Sequence, residues 1–219
     1  MGDSNIYGMF GRRLASRLVK CGHGATRIAK PSSGLSRPQF YDWRQRAREL
    51  IARYQPDHIL VMFGGNDALR INFKEPIKER IEFEEGPRWD EAYKRRVREF
   101  ADIARADGRT LIFLSPTNRR PMNARKNVFR IRELQREALR GLDRVHFEDM
   151  IPYTTAKDGK PLLATHDRYG RWVLARRTDG IHLTEVGATI IAGRVWDSMT
   201  ERGALDCPKV ALKPRLKTP

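Results

Sequence analysis

The hydrophobic positions of this chain alternate between two periods. Residues 58–63 and 110–114 are nearly continuous apolar runs of strand length, a pattern typical of strands buried on both faces of a parallel sheet. Around them, apolar residues recur every three or four positions, which predicts amphipathic helices. We predict helices at residues 9–19, 40–54, 89–106, 127–142 and 184–202, and shorter strands at 25–30 and 144–148. Strands alternating with helices predict an α/β domain with a mainly parallel sheet.

Two segments lack a regular period. Residues 68–87 form a long connection rich in charges of both signs, which predicts either a lid beside a substrate or a solvated excursion. Residues 153–177 contain two turn signals and are expected to carry a small hairpin. Thr184 has the side chain of an N-cap and predicts the start of the last helix.

The length and composition predict one domain. The chain has 219 residues, and 40% hydrophobic residues are enough for a core of that size. We assign residues 1–206 to the domain and residues 207–219 to a flexible basic tail. No stretch approaches the roughly 18 apolar residues of a membrane span, and no Cys/His spacing resembles a metal site. We therefore expect neither a membrane span nor a bound metal in this chain.

The cysteines give no disulfide framework. Cys21 and Cys207 are the two present, and they could form one bridge or remain two free thiols. We favour two free thiols.

The charge of the chain is strongly positive. With 43 Lys and Arg against 27 Asp and Glu, the formal net charge is +16, which favours polyanions such as nucleic acid or an acidic polysaccharide. The excess is spread along the chain, so a generally basic surface is an equal alternative. Few aromatic residues accompany the basic segment from Asn127, and nucleic acid is therefore not the favoured partner.

Four short polar stretches lie where chemistry is expected. They are Gly2-Asp3-Ser4-Asn5, Ser32-Ser33-Gly34, Gly64-Gly65-Asn66-Asp67 and Asp179-Gly180-Ile181-His182. In parallel α/β folds, sites lie at the C-terminal ends of the strands, where we expect the first three stretches. Together the four supply a hydroxyl nucleophile, a base with a carboxylate three residues away, and hydrogen-bond donors for an oxyanion. These are the groups that acyl transfer through a serine ester requires.

In this order the four stretches resemble the SGNH, or GDSL-like, hydrolase superfamily. Gly2-Asp3-Ser4 matches its first block, Gly34 its second, Gly64-Gly65-Asn66-Asp67 its third and Asp179-Gly180-Ile181-His182 its fifth. The resemblance extends from Gly2 to about Trp196 and is closest to a bacterial branch of unassigned function. It implies a flavodoxin-like fold, a three-layer α/β/α sandwich, and chemistry that needs no metal or organic cofactor.

The resemblance also implies a role for each site residue. Ser4 is the expected nucleophile, His182 the base that takes its proton, and Asp179 the carboxylate that orients the imidazole. The expected oxyanion hole consists of the backbone N–H groups of Ser4 and Gly34 and the side-chain amide of Asn66.

Four charged residues near these blocks receive separate predictions. Asp3 and Asp67 are expected to brace their loops through hydrogen bonds and to take no part in the chemistry. Arg119 and Arg120 follow the strand at 110–114 and could bind an anionic group of the substrate, or could belong to a solvated loop.

The favoured function is hydrolysis of a small acyl ester. Members of the superfamily often remove or transfer acetyl groups on carbohydrates, so the resemblance implies an O-acetylated or anionic glycan as substrate. An O-acyltransferase would use the same acyl-enzyme with a sugar hydroxyl in place of water. A polyanion-binding protein with an inactive site is the alternative from another class.

The front of the chain departs from the family pattern. A serine of this type follows a buried strand of the sheet, and no strand precedes Met1. We therefore expect a sheet without its first strand in the chain as given. The chain as given predicts a cytoplasmic protein, whereas an upstream export signal or anchor would make it periplasmic or envelope-associated.

Overall fold

The computed structural model describes residues 1–73, 79–120 and 122–207. Its strands, in chain order, are β1 (His58–Met62), β2 (Ile71–Asn72), β3 (Arg80–Ile81), β4 (Thr110–Leu114), β5 (Val145–Glu148), β6 (Ala164–His166) and β7 (Trp172–Leu174). Its helices are α1 (Ser4–Tyr7), α2 (Met9–Lys20), α3 (Trp43–Tyr54), α4 (Pro87–Arg105), α5 (Met122–Leu139), α6 (Ile151–Thr154) and α7 (Glu185–Glu201). Short 3₁₀ turns cover Phe83–Glu85 and Ala106–Gly108.

The central sheet is parallel, with the strand order β1-β4-β5. Beyond β1, Gly2 makes single parallel bridges to Met62 on one side and to Ala29 on the other. The predicted strand at 25–30 is therefore wrong, since only Ala29 takes part in pairing. The physical reason is that a ladder extends no further than its partner, which here is the single residue Gly2.

Helices cover both faces of the sheet. Ile59, Val61 and Phe63 are buried in one apolar cluster, which they share with α3, α4 and α5. Met62 and Ile112 point the other way, into a second cluster that contains α2 and α7. This alternation follows from the two-residue period of a strand. It confirms the predicted three-layer α/β/α sandwich with a mainly parallel sheet.

The helices begin at residues whose chemistry favours a start. Asp42 caps α3 by accepting hydrogen bonds from the backbone N–H groups of Arg44 and Gln45 at 3.0 and 3.3 Å. Thr184 caps α7 as predicted, accepting from the N–H of Gly187 at 3.0 Å. Among the described residues, none of the helices is long and apolar enough to cross a membrane.

The two irregular segments both contain hairpins. β6 pairs with β7 in the antiparallel sense, which confirms the hairpin expected within residues 153–177. In the connection 68–87, β2 pairs with β3, and Ile71 and Ile81 are buried in the same cluster as Trp89. The hairpin thus contributes Ile71 and Ile81 to the core, while Leu69 and Arg70 beside it are exposed. Residues 74–78 lie outside the described residues, and a lid role for this connection stays a prediction.

A disulfide joins Cys21 to Cys207, so the expectation of two free thiols is wrong. Cys21 is the C-cap of α2, and the chain after α7 returns to that end of α2, which brings the two Cα atoms to 5.0 Å. Beside the bridge, His23 Nε2 lies 2.6 Å from the carbonyl oxygen of Asp206. The sequence separation of 186 concealed this proximity. Residues 208–219, the rest of the predicted tail, lie outside the described residues.

Candidate active site

Ser4 lies at the C-terminal end of β1. The backbone N–H of Asp3 donates to the carbonyl of Met62, the last residue of β1, at 3.3 Å, and α1 begins one residue later at Ser4. Asp3 caps this turn, because its carboxylate accepts from the backbone N–H of Asn5 at 2.8 Å. The first N–H groups of a helix have no acceptor within that helix, so the N–H of Ser4 is available to a neighbouring group.

The structure brings Ser4, His182 and Asp179 together in one hydrogen-bonded chain. Ser4 Oγ lies 2.9 Å from His182 Nε2, although 178 residues separate the two in sequence. The other ring nitrogen of His182, Nδ1, lies 2.8 Å from Asp179 Oδ2. With Nδ1 protonated and donating to Asp179, Nε2 is free to accept the proton of the Ser4 hydroxyl.

Asp179 is oriented by its own loop. Its Oδ1 accepts hydrogen bonds from the backbone N–H groups of Ile181 at 2.8 Å and His182 at 2.9 Å. Partial burial acts to raise the pKa of Asp179, but the hydrogen bonds from the His182 ring and the two N–H groups outweigh it and lower this pKa to about 2. The turn requires Gly180, whose φ of +67° is in the left-handed region. Asp179 is therefore ionised at neutral pH and fixed against the imidazole.

The two loops expected to carry oxyanion donors touch each other. Asn66 Nδ2 donates to the carbonyl of Ser33 at 3.1 Å, which leaves the second N–H of this amide for another acceptor. A Cβ at position 34 would lie only 2.0 Å from Asp67 Oδ1. Gly34 is therefore required where the loop after residue 30 packs against the loop after β1.

Asp67 and Asp3 act as braces, as predicted. The carboxylate of Asp67 accepts from the backbone N–H of Ser36 at 2.9 Å and from the hydroxyl of Tyr93 at 2.8 Å. Burial raises the pKa of Asp67. Burial likewise raises the pKa of Asp3 to about 6, against the opposing effects of its hydrogen bonds from Asn5 and of the nearby Arg119 cation. Both carboxyl groups hold loop backbone in place.

The two arginines after β4 differ in their exposure. Arg119 donates to the carbonyl of Gly65 and is mostly buried, and burial lowers its pKa. Its guanidinium is thus engaged with the protein backbone, and its contact with substrate stays a prediction. Arg120 is exposed, its backbone N–H donates to the carbonyl of Gly180 at 3.2 Å, and its side chain packs against Gly180. Arg120 is therefore the more exposed of the pair and lies beside the loop that carries His182.

The sequence analysis missed Arg176. Its side chain is 3% exposed and donates to the carbonyl oxygens of Ile181 and Asn118. It lies under the turn that carries Asp179 and His182. Its partners are backbone carbonyls, which leave no mark in the sequence.

A cavity between apolar side chains lies away from Ser4. A cavity of about 470 Å³ is lined by apolar and polar residues that include Leu18, Ile28, Tyr54 and Leu60. These residues surround the N-terminal end of β1, and the lining includes neither Ser4 nor the 179–182 loop. The described residues contain no group of three or more His, Cys, Asp or Glu side chains arranged to hold a metal ion.

Comparisons with known proteins agree with this fold. Residues 1–198 match the family described as "Protein of unknown function (DUF459)". No curated protein matches the chain in sequence. A GDSL-like lipase from Bacteroides thetaiotaomicron superposes with a TM-score of 0.56 at 17% identity, covering 92% of this chain and 86% of that chain.

Two further solved structures are similar to a comparable degree. The psychrotrophic esterase EstA from Pseudoalteromonas sp. has a TM-score of 0.57 at 11% identity, covering 90% of this chain and 88% of its own. LAE5, an α/β hydrolase enzyme from the metagenome of Lake Arreo, Spain, has a TM-score of 0.56 at 14% identity, covering 90% of this chain and 81% of its own. The chain belongs to the DUF459 family and has the α/β fold of the SGNH, or GDSL-like, hydrolases.

Proposed function

We propose that this protein is a serine hydrolase of the SGNH type that cleaves a small acyl ester through an acyl-enzyme on Ser4. The observation that carries the proposal is the hydrogen-bonded chain from Ser4 Oγ to His182 Nε2 and from His182 Nδ1 to Asp179. A serine hydroxyl is a weak nucleophile until a positioned base takes its proton, and these contacts provide that base.

Each step of the proposed reaction uses a group in this site. Ser4 Oγ attacks the ester carbonyl as its proton passes to His182 Nε2, and Asp179 stabilises the imidazolium. The resulting oxyanion accepts hydrogen bonds from the N–H groups of Ser4 and Gly34 and from the free N–H of the Asn66 amide. The tetrahedral intermediate then breaks its bond to the alkoxide, which takes the proton from His182. Water repeats the sequence, releases the acid and restores Ser4.

Two observations bear on the substrate. The side chains of His182 and Asp179 are 38% and 42% exposed, so the site is open and water can reach an acyl-enzyme. This openness favours hydrolysis over acyl transfer to a sugar. The exposed Arg120 beside Gly180 fits an ester that carries a negative charge, such as an acetylated anionic glycan.

The test of the proposal is turnover of p-nitrophenyl acetate together with labelling by a fluorophosphonate. We expect ester turnover and a single phosphonylated residue, Ser4, identified by mass spectrometry. Ser4→Ala should lose both, whereas Ser16→Ala, which changes an exposed serine on α2, should keep both. Turnover that persists in Ser4→Ala, or the absence of labelling in the parent protein, would refute the proposal.

Two further measurements separate the alternatives. With an O-acetylated sugar, hydrolysis releases free acetate, whereas transfer places the acetyl group on an acceptor sugar. A polyanion-binding protein would bind its ligand equally well after Ser4→Ala and would lose affinity steeply with added salt. For the anionic substrate, Arg120→Ala should lower kcat/KM for a charged ester only. Arg53→Ala, an exposed arginine at the end of α3, should not.

A further inference from the structure

A buried arginine connects the loop that carries the base to the loop after β4. Arg176 donates through Nη1 to the carbonyl of Ile181, next to His182, and through Nη2 to the carbonyl of Asn118. The backbone closes the same loop, because the N–H of Arg177 donates to the carbonyl of His182 at 2.9 Å. The guanidinium thus holds the loop that carries His182 against the loop that carries Asn118.

Asn118 is itself held firmly. Its backbone N–H donates to Thr154 Oγ1 at 3.0 Å, and its side-chain amide donates to Thr155 Oγ1 at 2.9 Å. Asn118 is fully buried. The carbonyl that receives Arg176 is therefore part of a fixed support.

The next residue along the chain makes a second connection, in the opposite direction. Arg119 donates to the carbonyl of Gly65, which precedes Asn66. Asn66 in turn donates to Ser33, beside Gly34. One short loop, residues 118–119, is thus joined to the proposed base through Arg176 and to the proposed oxyanion donors through Arg119.

Stability alone does not account for this arrangement. Burial lowers the pKa of Arg176 to about 10, and the neighbouring Arg119 cation acts in the same direction, whereas Asp179 opposes them. Arg176 is therefore still charged at neutral pH. Two cations that are buried close together cost stability, because both lose hydration and they repel each other. Their hydrogen bonds to backbone carbonyls instead fix the positions of the loops that they join.

We infer that Arg176 and Arg119 are positioning residues, which hold the His182 loop and the Asn66 loop in register with Ser4 through residues 118–119. This inference rests on the proposed function, since it concerns the geometry of the same site. Arg176 also places a positive charge near the carboxylate of Asp179.

Three variants test the inference. Arg176→Met removes both hydrogen bonds and the charge, whereas Arg176→Lys keeps the charge and cannot span two carbonyls in the same geometry. Arg96→Met is the matched control. Arg96 is also a buried arginine, 4% exposed, it donates to the carbonyl of Asn72 at 3.0 Å, and burial lowers its pKa to about 10. It lies on α4 beside β2, outside the loops that converge on Ser4.

The measurement is the rate of fluorophosphonate labelling of Ser4, together with kcat and KM for p-nitrophenyl acetate. Circular dichroism melting fixes an assay temperature at which all variants are folded. We expect Arg176→Met to label about 10²-fold more slowly, the loss typical of a displacement of about 1 Å. Its kcat for p-nitrophenyl acetate should fall while KM stays nearly unchanged, because displacement of the base acts in the transition state. Arg176→Lys should lose about tenfold in labelling rate, and Arg96→Met should match the parent in labelling rate and in both kinetic constants.

The outcomes distinguish this inference from the proposed function. If the parent protein is not labelled, the proposed function fails and the inference fails with it. If the parent is labelled and both Arg176 variants are labelled as fast as the parent, the inference alone is overturned. A loss in Arg96→Met equal to that in Arg176→Met would also overturn it, because general destabilisation would then explain both. If Arg176→Met does not fold, the labelling rate of Arg176→Lys tests the inference, and a rate equal to that of the parent overturns it.

The connection through Arg119 is tested separately. Arg119→Met should lower kcat for the ester while leaving KM nearly unchanged, because it displaces groups that act in the transition state. The double variant Arg119→Met/Arg176→Met should lose less than the product of the two single losses, since both act through residues 118–119. Independent, multiplicative losses would refute the shared support.

Discussion

The disulfide between Cys21 and Cys207 allows a quantitative prediction of stability. It closes a loop of 186 residues, nearly the whole described chain. For a loop of that length, the loss of chain entropy in the unfolded state corresponds to about 5 kcal/mol at 25 °C. For a protein of this size, that free energy corresponds to a rise in melting temperature of roughly 10–20 °C. We therefore expect Cys207→Ser to lower the free energy of unfolding by about 2–5 kcal/mol.

The assay is guanidinium unfolding of the parent, Cys207→Ser and Cys21→Ser, each with and without dithiothreitol. Reductant should lower the midpoint of the parent to that of the variants and should leave both variants unchanged. Because Cys21 is buried, its serine variant also buries a hydroxyl, and the reduced parent isolates the effect of the bridge from the effect of the substitution.

The site should tolerate the loss of the bridge. Cys21 ends α2, whose 12 residues place it about 18 Å along the helix from its start near Ser4. Labelling of Ser4 below the melting temperature should therefore not change. Two results would refute the reasoning. One is free energies of unfolding that agree within about 0.5 kcal/mol between oxidised and reduced parent. The other is two reactive thiols in the denatured protein without reductant.

Three further predictions concern the site loops. The folded protein keeps a proton on Asp3 up to about pH 6, whereas the unfolded chain releases it near pH 3.8. The free energy of unfolding, measured with urea, should therefore fall by about 3 kcal/mol as the pH rises from 3.8 to about 6. Asp3→Asn should remove this pH dependence. Gly34→Ala places a Cβ against Asp67, so the free energy of unfolding should fall by about 1–3 kcal/mol and the rate of ester turnover should also fall. An unchanged turnover rate would contradict the close packing. Asn66→Ala should lower kcat for p-nitrophenyl acetate by about 10²–10³ with little change in KM, and a loss confined to KM would argue against an oxyanion role.

Much of the fold could be predicted because its signals are local. The run at 110–114 predicted β4 with both boundaries, since four apolar residues in succession after Thr110 suit a strand covered on both faces. Thr184 predicted the start of α7, because a cap needs only the residues that follow it. The strands β2 and β3 have only two residues each, too few to show an alternation of apolar and polar positions in the sequence. Their burial in the core depends on contacts with Trp89 and other residues distant in sequence.

The site was predictable where chemistry and spacing coincide. Asp179 and His182 are three residues apart, close enough for one carboxylate to reach both the imidazole and the loop backbone. Arg176 and Arg119 could not be identified in the same way. The chain has 43 Lys and Arg residues, and nothing in the sequence marks two of them as buried against backbone carbonyls. Cys207 pairs with Cys21 only because helices distant in sequence pack together.

The 178-residue separation between Ser4 and His182 has a consequence for biosynthesis. During translation Ser4 leaves the ribosome 178 residues before His182. A nascent chain that ends before the 179–182 loop has its nucleophile but no base to activate it. The proposed hydrolase is therefore inactive until this loop has been made, and its activity begins when the loop and α7 fold onto the sheet.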